Sequence, residues 1–233
     1  MSNCGPKPKA ACSPEPKAAC SPEPEAVCRL CPRLFDFLAQ SRAIEPSWHN
    51  APVASFGDAS ARLLIVGLAP GLRGANRTGR PFTGDYAGEL LYGTLIDLGF
   101  ATGTYDARPD DGLALNDTMI TNAVRCVPPE NKPTPAEVNT CRTFLAHRIA
   151  AQSNLKAIVA LGRIAHDSTV VALGHKRSAF PFGHAARHDI KPGVALFDSY
   201  HCSRYNTSTR VLTPEMFRGV FTSVKAYLNP STR

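Results

Sequence analysis

The run Leu63-Leu64-Ile65-Val66-Gly67-Leu68-Ala69-Pro70-Gly71 opens into Leu72-Arg73-Gly74-Ala75-Asn76-Arg77-Thr78-Gly79-Arg80-Pro81-Phe82-Thr83-Gly84-Asp85. Four branched apolar residues end at a glycine, and a helical pattern resumes near Ala87. A buried strand, a glycine-rich loop and a helix, in that order, mark the place where an open α/β sheet builds its site. Glycine is needed where backbone must come close to a ligand. The loop carries Arg73, Arg77 and Arg80, one aromatic (Phe82) and one carboxylate (Asp85). Those groups suit an anionic polymer, a planar ring and a developing positive charge. Phe82 could equally pack in the core, and Asp85 could equally cap the following helix.

Three further apolar runs read as strands: Thr118–Val124, Lys156–Leu161 and Val194–Ser199, with the first taken as Arg62–Gly67. Helical patterns separate them at Gly88–Leu98, Pro135–Gln152 and Arg163–Leu173, and Pro214–Leu228 follows the last. Thr213 before Pro214 is a helix start, and Thr134-Pro135-Ala136-Glu137 repeats that logic, its glutamate counted one place early for a capping box. Strand–helix alternation predicts a parallel sheet covered on both faces, with active groups just beyond the strand C-termini. Loops Leu68–Asp85, Ala123–Pro133, the stretch from Gly162, and Tyr200–Thr213 qualify.

The chain has 233 residues, 43% hydrophobic, and a net charge of +7. This size fits one domain plus a tail. The basic balance favours a polyanionic partner. No apolar run approaches a membrane span, and the N-terminus lacks a secretory apolar region, so a cytoplasmic protein is expected. Residues 1–26 are rich in Pro, Lys, Ala and Glu, and Lys-Ala-Ala-Cys-Ser-Pro-Glu-Pro occurs at Lys9–Pro16 and again at Lys17–Pro24. Such a composition buries too little apolar surface to fold, so residues 1–26 read as a disordered tail and 27–233 as the domain.

Eight cysteines in a reducing compartment are metal ligands or bystanders rather than disulfides. Cys4, Cys12, Cys20 and Cys28 recur every eight residues. Cys28-Arg29-Leu30-Cys31-Pro32 is a close pair, and Cys126 and Cys141 stand alone on later elements. Four thiolates brought together would bind zinc or an iron–sulfur cluster. One pair plus two isolated cysteines leans toward the cluster. Otherwise Cys126 and Cys141 are small core residues.

The last loop reads Ser199-Tyr200-His201-Cys202-Ser203-Arg204-Tyr205-Asn206-Thr207-Ser208-Thr209-Arg210. Its arginines, hydroxyls, amide and tyrosine suit phosphates and the minor groove. His201 points to a cleft residue or a satisfied structural histidine. Asn122, ending the second strand, suits a base edge or caps a turn.

These residues resemble those of the family 5 (type b) uracil-DNA glycosylases, from Cys28 to about Leu228. The carriers are Gly67-Leu68-Ala69-Pro70-Gly71 with Asn76-Arg77-Thr78-Gly79-Arg80-Pro81-Phe82-Thr83-Gly84-Asp85, and His201-Cys202-Ser203-Arg204-Tyr205-Asn206-Thr207. Cys202 stands where many relatives have proline, and Ala69-Pro70-Gly71 lacks the polar residue by which other glycosylase families activate water.

The resemblance implies a three-layer α/β/α sandwich around a central four-stranded parallel sheet. It implies a monofunctional glycosylase that flips uracil, and other deaminated bases such as hypoxanthine, out of single- or double-stranded DNA and hydrolyses the N-glycosidic bond. Asp85 and His201 would be catalytic. Gly67, Ala69, Pro70, Gly71, Phe82 and Asn122 would hold the base. Arg77, Arg80, Ser203, Arg204, Tyr205 and Asn206 would contact DNA. Cys28, Cys31, Cys126 and Cys141 would hold a [4Fe-4S] cluster. A monomer is expected. The rival reading is a non-catalytic iron–sulfur nucleic-acid-binding protein. A phosphate-binding nucleotide site is disfavoured, because the loop has neither the Gly-Lys-Ser/Thr ending nor the dinucleotide glycine spacing.

Overall fold

Alternate residues of the strand Leu63–Gly67 face two different cores. Leu63 and Ile65 join one buried cluster, Leu64 and Val66 the other. A strand buried on both faces belongs in the middle of a parallel sheet, which is why the run is apolar throughout rather than alternating. The computed structural model describes residues 21–230.

In chain order the elements are α1 (Pro32–Ile44), β1 (Phe56–Gly57), β2 (Leu63–Gly67), α2 (Ala75–Thr78), α3 (Tyr86–Leu98), β3 (Ala101–Thr102), β4 (Ala114–Leu115), β5 (Thr118–Asn122), α4 (Pro135–Ala151), β6 (Ala157–Leu161), α5 (Arg163–Ala172), β7 (Arg187–Lys191), β8 (Val194–Ser199), α6 (Arg204–Ser208) and α7 (Pro214–Leu228). The main sheet has six strands in the order β1-β5-β2-β6-β8-β7. Its centre, β5-β2-β6-β8, is the expected four-stranded parallel sheet. Two antiparallel edge strands, β1 and β7, extend it beyond what the sequence suggests. One face carries α3 and α7, through Leu91, Leu95, Phe217 and Val220. The other carries α4 and α5, through Leu145, Ile149, Ala165 and Val170.

The chain leaves β2 for β5 on one side, then crosses to β6 on the other. The switch point therefore lies at the C-terminal end of β2, where Gly67 pairs in register with Asn122. Helix starts follow the sequence signals. Thr213 accepts from Met216 N ahead of α7. At α4 a complete capping box forms: Glu137 sits at its proper third position, accepting from Thr134 N at 2.7 Å while donating its own N–H to Thr134 Oγ1 at 3.3 Å.

A third cluster joins Leu34 and Leu38 of α1 to Val124, Val127, Val138 and Phe144. The N-terminal segment is thereby fastened to the loop after β5 and to α4. Residues 21–26, read from composition as tail, also lie against the domain. Glu23 meets Arg125 at 3.0 Å and pairs with Arg148, and Pro22 O accepts from Arg125 at 3.2 Å. Arg125 is only 1% exposed, and a buried guanidinium needs a counter-ion. The sequence composition of 21–26 hid that charge match. The Lys9–Pro16 repeat lies outside the described residues. No helix among the described residues is long and apolar enough to cross a membrane.

Candidate active site

Gly67 has no side chain for a geometric reason. A Cβ there would sit 2.4 Å from Asn122 Oδ1 and 2.5 Å from Phe82 Cζ. The glycine at the strand end lets the amide and the ring converge. Beside them a cavity of about 440 Å3 opens at the C-terminal ends of β2, β5 and β8. Ala69, Gly71, Phe82, Asp85, Asn122 and His201 line it, with Ser203 and Arg204 on its margin. Gly67 and Pro70 are buried and are not among the residues that line it.

Asp85 has two separate duties. It is the N-cap of α3, where Oδ1 accepts from Gly88 N at 3.2 Å. Its Oδ2 faces Gly71 and Gly74, where added Cβ atoms would lie 3.0 and 2.3 Å away. Cap and cavity wall, alternatives in the sequence, are both true. Burial raises its pKa above the ordinary 3.8, while the amides of Gly88 and Ala87 oppose the rise.

His201 sits on the loop between β8 and α6, its ring stacked on Phe82 with centroids 6.2 Å apart and planes at 30°. Asn206 Nδ2 donates to His201 O at 2.8 Å, and Cys202 Sγ lies 3.6 Å from Ala87 O. The thiol in the proline position thus ties this loop to the first turn of α3. Burial lowers the His201 pKa to about 4, so the imidazole is neutral at physiological pH. Phe82 has φ of 52°, an uncommon backbone for an aromatic residue. Tyr105 OH donates to its carbonyl at 3.2 Å, and Tyr92 OH to that of Pro81 at 2.6 Å, holding the conformation.

The DNA-facing expectations divide. Arg204 is exposed and lies 5.4 Å over the Tyr86 ring; Tyr205 projects outward, 74% exposed. Ser203 caps α6, accepting from Asn206 N, and Asn206 is committed to the His201 carbonyl. Arg77 is exposed and donates to Arg73 O at 2.9 Å, outside the cavity. Arg80, expected to contact DNA, is instead turned into the protein. It is 5% exposed, forks onto Asp111 at 2.8 and 2.7 Å, and lies among the rings of Phe56, Tyr92 and Tyr105. This pairing holds the Asp111 carboxyl far below its usual range. An arginine whose partner lies 31 positions away looks, in sequence, like any other basic loop residue.

Five lining residues were not among those expected: the apolar Leu68, Ala75 and Ala87, and two that carry polar groups, Tyr86 and Asn131. Asn131 follows Glu130 in a turn where both have positive φ, 55° and 58°. The signal was the Pro128-Pro129-Glu130-Asn131-Lys132-Pro133 run inside a loop already placed at a strand end.

The second site is a small pocket lined by all four expected cysteines, Cys28, Cys31, Cys126 and Cys141. All four are unpaired. Arg125 N lies 3.3 Å from Cys141 Sγ, a donor aimed at sulfur. Burial raises the Cys31 pKa to about 11, helped by Cys141, Cys28 and Glu137, and pushes Cys126 higher still. Four free sulfurs converging on one pocket, with a backbone N–H aimed at one of them, form a donor set that fits a thiolate-bound metal group.

A model of the uracil DNA glycosylase superfamily matches residues 54–225. The chain belongs to this superfamily. The type-5 uracil-DNA glycosylase of Thermus thermophilus is 44% identical over 203 residues, covering 84% of this chain and 92% of the relative. That of Pyrobaculum aerophilum is 38% identical over 189 residues, 79% and 82% of the two chains. A type-4 enzyme from Archaeoglobus fulgidus matches at 37% over 114 residues, about half of each chain. The protein is therefore a DNA glycosylase of the type-5 group, which sets aside the non-catalytic binding protein.

Proposed function

We propose that this glycosylase removes uracil from DNA, and also hypoxanthine, by hydrolysing the N-glycosidic bond of a flipped nucleotide. One observation carries the reading: Asp85, Phe82, Asn122 and His201 share one cavity at the C-terminal end of the sheet. A base within a duplex is out of reach, and extrusion costs a few kcal/mol. Arg204 and Tyr205, beside the cavity mouth, support the vacated stack.

Inside the cavity Phe82 offers a ring face. Asn122 Oδ1 is buried without a partner, an acceptor that the ring N–H of uracil or hypoxanthine satisfies. As the C–N bond breaks, its electron pair leaves with the base and positive charge develops on the sugar. His201, neutral, donates a hydrogen bond to the base oxygen where negative charge accumulates. Asp85, ionised, faces the sugar cation and takes a proton from the attacking water. Asn131 on the cavity wall offers its amide to the same water. No lysine lines the cavity, so no Schiff base forms and the product is an intact strand with an abasic site. The walls include Ala69, Ala75 and Ala87, whose short side chains leave room for a purine.

Cys28, Cys31, Cys126 and Cys141 would hold a [4Fe-4S] cluster. When bound, such a cluster cross-links the N-terminal segment, the loop after β5 and α4. C–N cleavage does not pass through it. The unpaired thiols suit a reducing, cytoplasmic setting.

Single-turnover excision on uracil and hypoxanthine oligonucleotides, duplex and single-stranded, tests the substrate reading. Release of free base with no strand scission is expected. Intact glycosidic bonds in every substrate would refute it. Iron and sulfide analysis with Cys126→Ser, which should lose both, tests the metal assignment separately.

A further inference from the structure

A second buried polar cluster lies behind the His201 loop. His166 of α5 and Asp198 of β8 are both 0% exposed. His166 Nδ1 is 2.7 Å from Asp198 Oδ1, and its Nε2 is 2.7 Å from the Phe180 carbonyl oxygen. His188 Nε2, from β7, approaches Asp198 Oδ2 at 3.3 Å. A carbonyl can only accept, so His166 Nε2 carries a proton. A carboxylate facing Nδ1, and already accepting from His188, leaves the second proton on the imidazole as well. Burial alone would strip that proton, but Asp198 and the Phe180 carbonyl outweigh it and the His166 pKa is raised.

The pair sits at a mechanical junction. Gly162, one turn earlier, donates its N–H to Ser199 O at 2.8 Å, and His166 N donates to Gly162 O at 3.0 Å. Gly162 has φ of 96°, and a Cβ there would lie 3.3 Å from His201 Cβ. The start of α5 and the end of β8 are therefore joined at Gly162–Ser199 and at His166–Asp198, and His201 rests on that junction.

We propose that His166 is an imidazolium at neutral pH, locked to Asp198, and that this buried ion pair is a positioning device for His201. The positioning half rests on the reading that His201 serves excision. The groups facing His166 are Asp198 from β8, His188 from β7, and the Phe180 carbonyl and Phe182 ring from the connecting segment, with Asp167 beside it on α5.

A metal ion shared by His166, His188 and Asp198, whose donor atoms lie within 4.8 Å of one another, is the competing account. Two atoms bound tetrahedrally at about 2.0–2.1 Å from zinc stand roughly 3.3 Å apart. The 2.7 Å between Nδ1 and Oδ1 is a hydrogen-bond length instead.

The test uses the full chain with isotope-labelled histidine. Long-range proton–nitrogen spectra near neutral pH should show both His166 nitrogens protonated, and Asp198→Asn should leave one of them bare. Asp198→Asn is nearly isosteric; His166→Gln is the second variant, and thermal melts verify that each folds. Both should slow single-turnover excision roughly ten- to a hundredfold, with affinity for abasic-site DNA unchanged. A bare His166 nitrogen in the unaltered protein, stoichiometric zinc lost in His188→Ala, or full-rate excision by folded Asp198→Asn would overturn the proposal. His201→Ala is measured alongside. If it excises normally, the role of His201 falls and the positioning half with it, while the spectra still decide the ion pair.

Discussion

Replacing Gly67 by alanine tests how the site is assembled, because the change adds one methyl group and touches no reacting atom. The residue lies at the end of β2, and its φ is not in the left-handed region, so alanine carries no backbone strain. The new Cβ would be 2.5 Å from Phe82 Cζ and 2.4 Å from Asn122 Oδ1. Non-bonded carbons rest near 3.5 Å, so the Phe82 ring must withdraw by about 1 Å. Phe82 cannot retreat freely, since the Tyr105 hydroxyl holds its carbonyl and buried neighbours surround it. A displacement of about 1 Å at a positioned group costs on the order of a hundredfold in rate. The overpacking itself costs about 1–3 kcal/mol of stability. The assay is single-turnover excision of uracil from a duplex, with binding to abasic-site DNA and a thermal melt run in parallel. Gly93→Ala, on the exposed side of α3 with nothing within 4 Å, serves as a control that should be as active as the parent. An excision rate for Gly67→Ala within a few fold of the parent would refute the claim that Phe82 and Asn122 grip the base from their observed positions.

Other outcomes follow from individual contacts. Arg80→Gln leaves Asp111 buried without its counter-ion and should cost about 3–5 kcal/mol in denaturant unfolding, while the salt dependence of DNA binding stays as in the parent; Arg204→Ala should do the reverse. Asp85→Asn should slow excision by roughly two to four decades. Because burial raises the Asp85 pKa, excision should fall with decreasing pH at a higher pH than an ordinary aspartate would give, and His201→Ala should retain that acid limb. Glu23→Gln strands Arg125 and should cost about 3 kcal/mol. The Glu23 pKa is lowered, since Arg125, Ser55 and Arg148 together outweigh burial. The stability it supplies is complete above 4.5 and lost as pH falls through the lower folded value, so melts of Glu23→Gln should show a shallower acid limb.

The central sheet was legible because its strands are buried on both faces and two of the helices that cover it, α4 and α7, begin at threonine–proline signals. Val194–Ser199 and Pro214–Leu228 agree to the residue. β7 was not, since Arg187-His188-Asp189-Ile190-Lys191 buries only Ile190 and forms at an edge through backbone bonds to β8. α1 was hidden by its neighbourhood: Leu34 and Leu38 are apolar one turn apart, but they follow a polar, proline-rich segment. At the cavity, Asn122 at the end of β5, His201 just past β8 and Asp85 at the start of α3 stood out by their places next to strand ends or helix starts, and the fold brings them together. Residues defined by a distant partner did not stand out. Arg80 needs Asp111 to reveal its purpose, and Glu23 needs Arg125.

The same distinction explains why one loop holds both chemistry and scaffold. Phe82 occupies a left-handed backbone that costs on the order of 1–3 kcal/mol and persists only where its surroundings overdetermine it. The surroundings are identifiable: Arg80 Nε donates to Thr83 Oγ1 at 2.7 Å, Tyr92 holds Pro81, and Tyr105 holds Phe82. Gly88 packs against the Phe82 carbonyl so closely that a Cβ would lie 1.8 Å from it. Residues 80–83 are thus clamped from both sides of a strained turn, and the clamp presents the ring to the cavity. Arg80, buried against Asp111 and bonded to Thr83, belongs to this clamp, so its charge is spent on holding the turn that carries the aromatic wall.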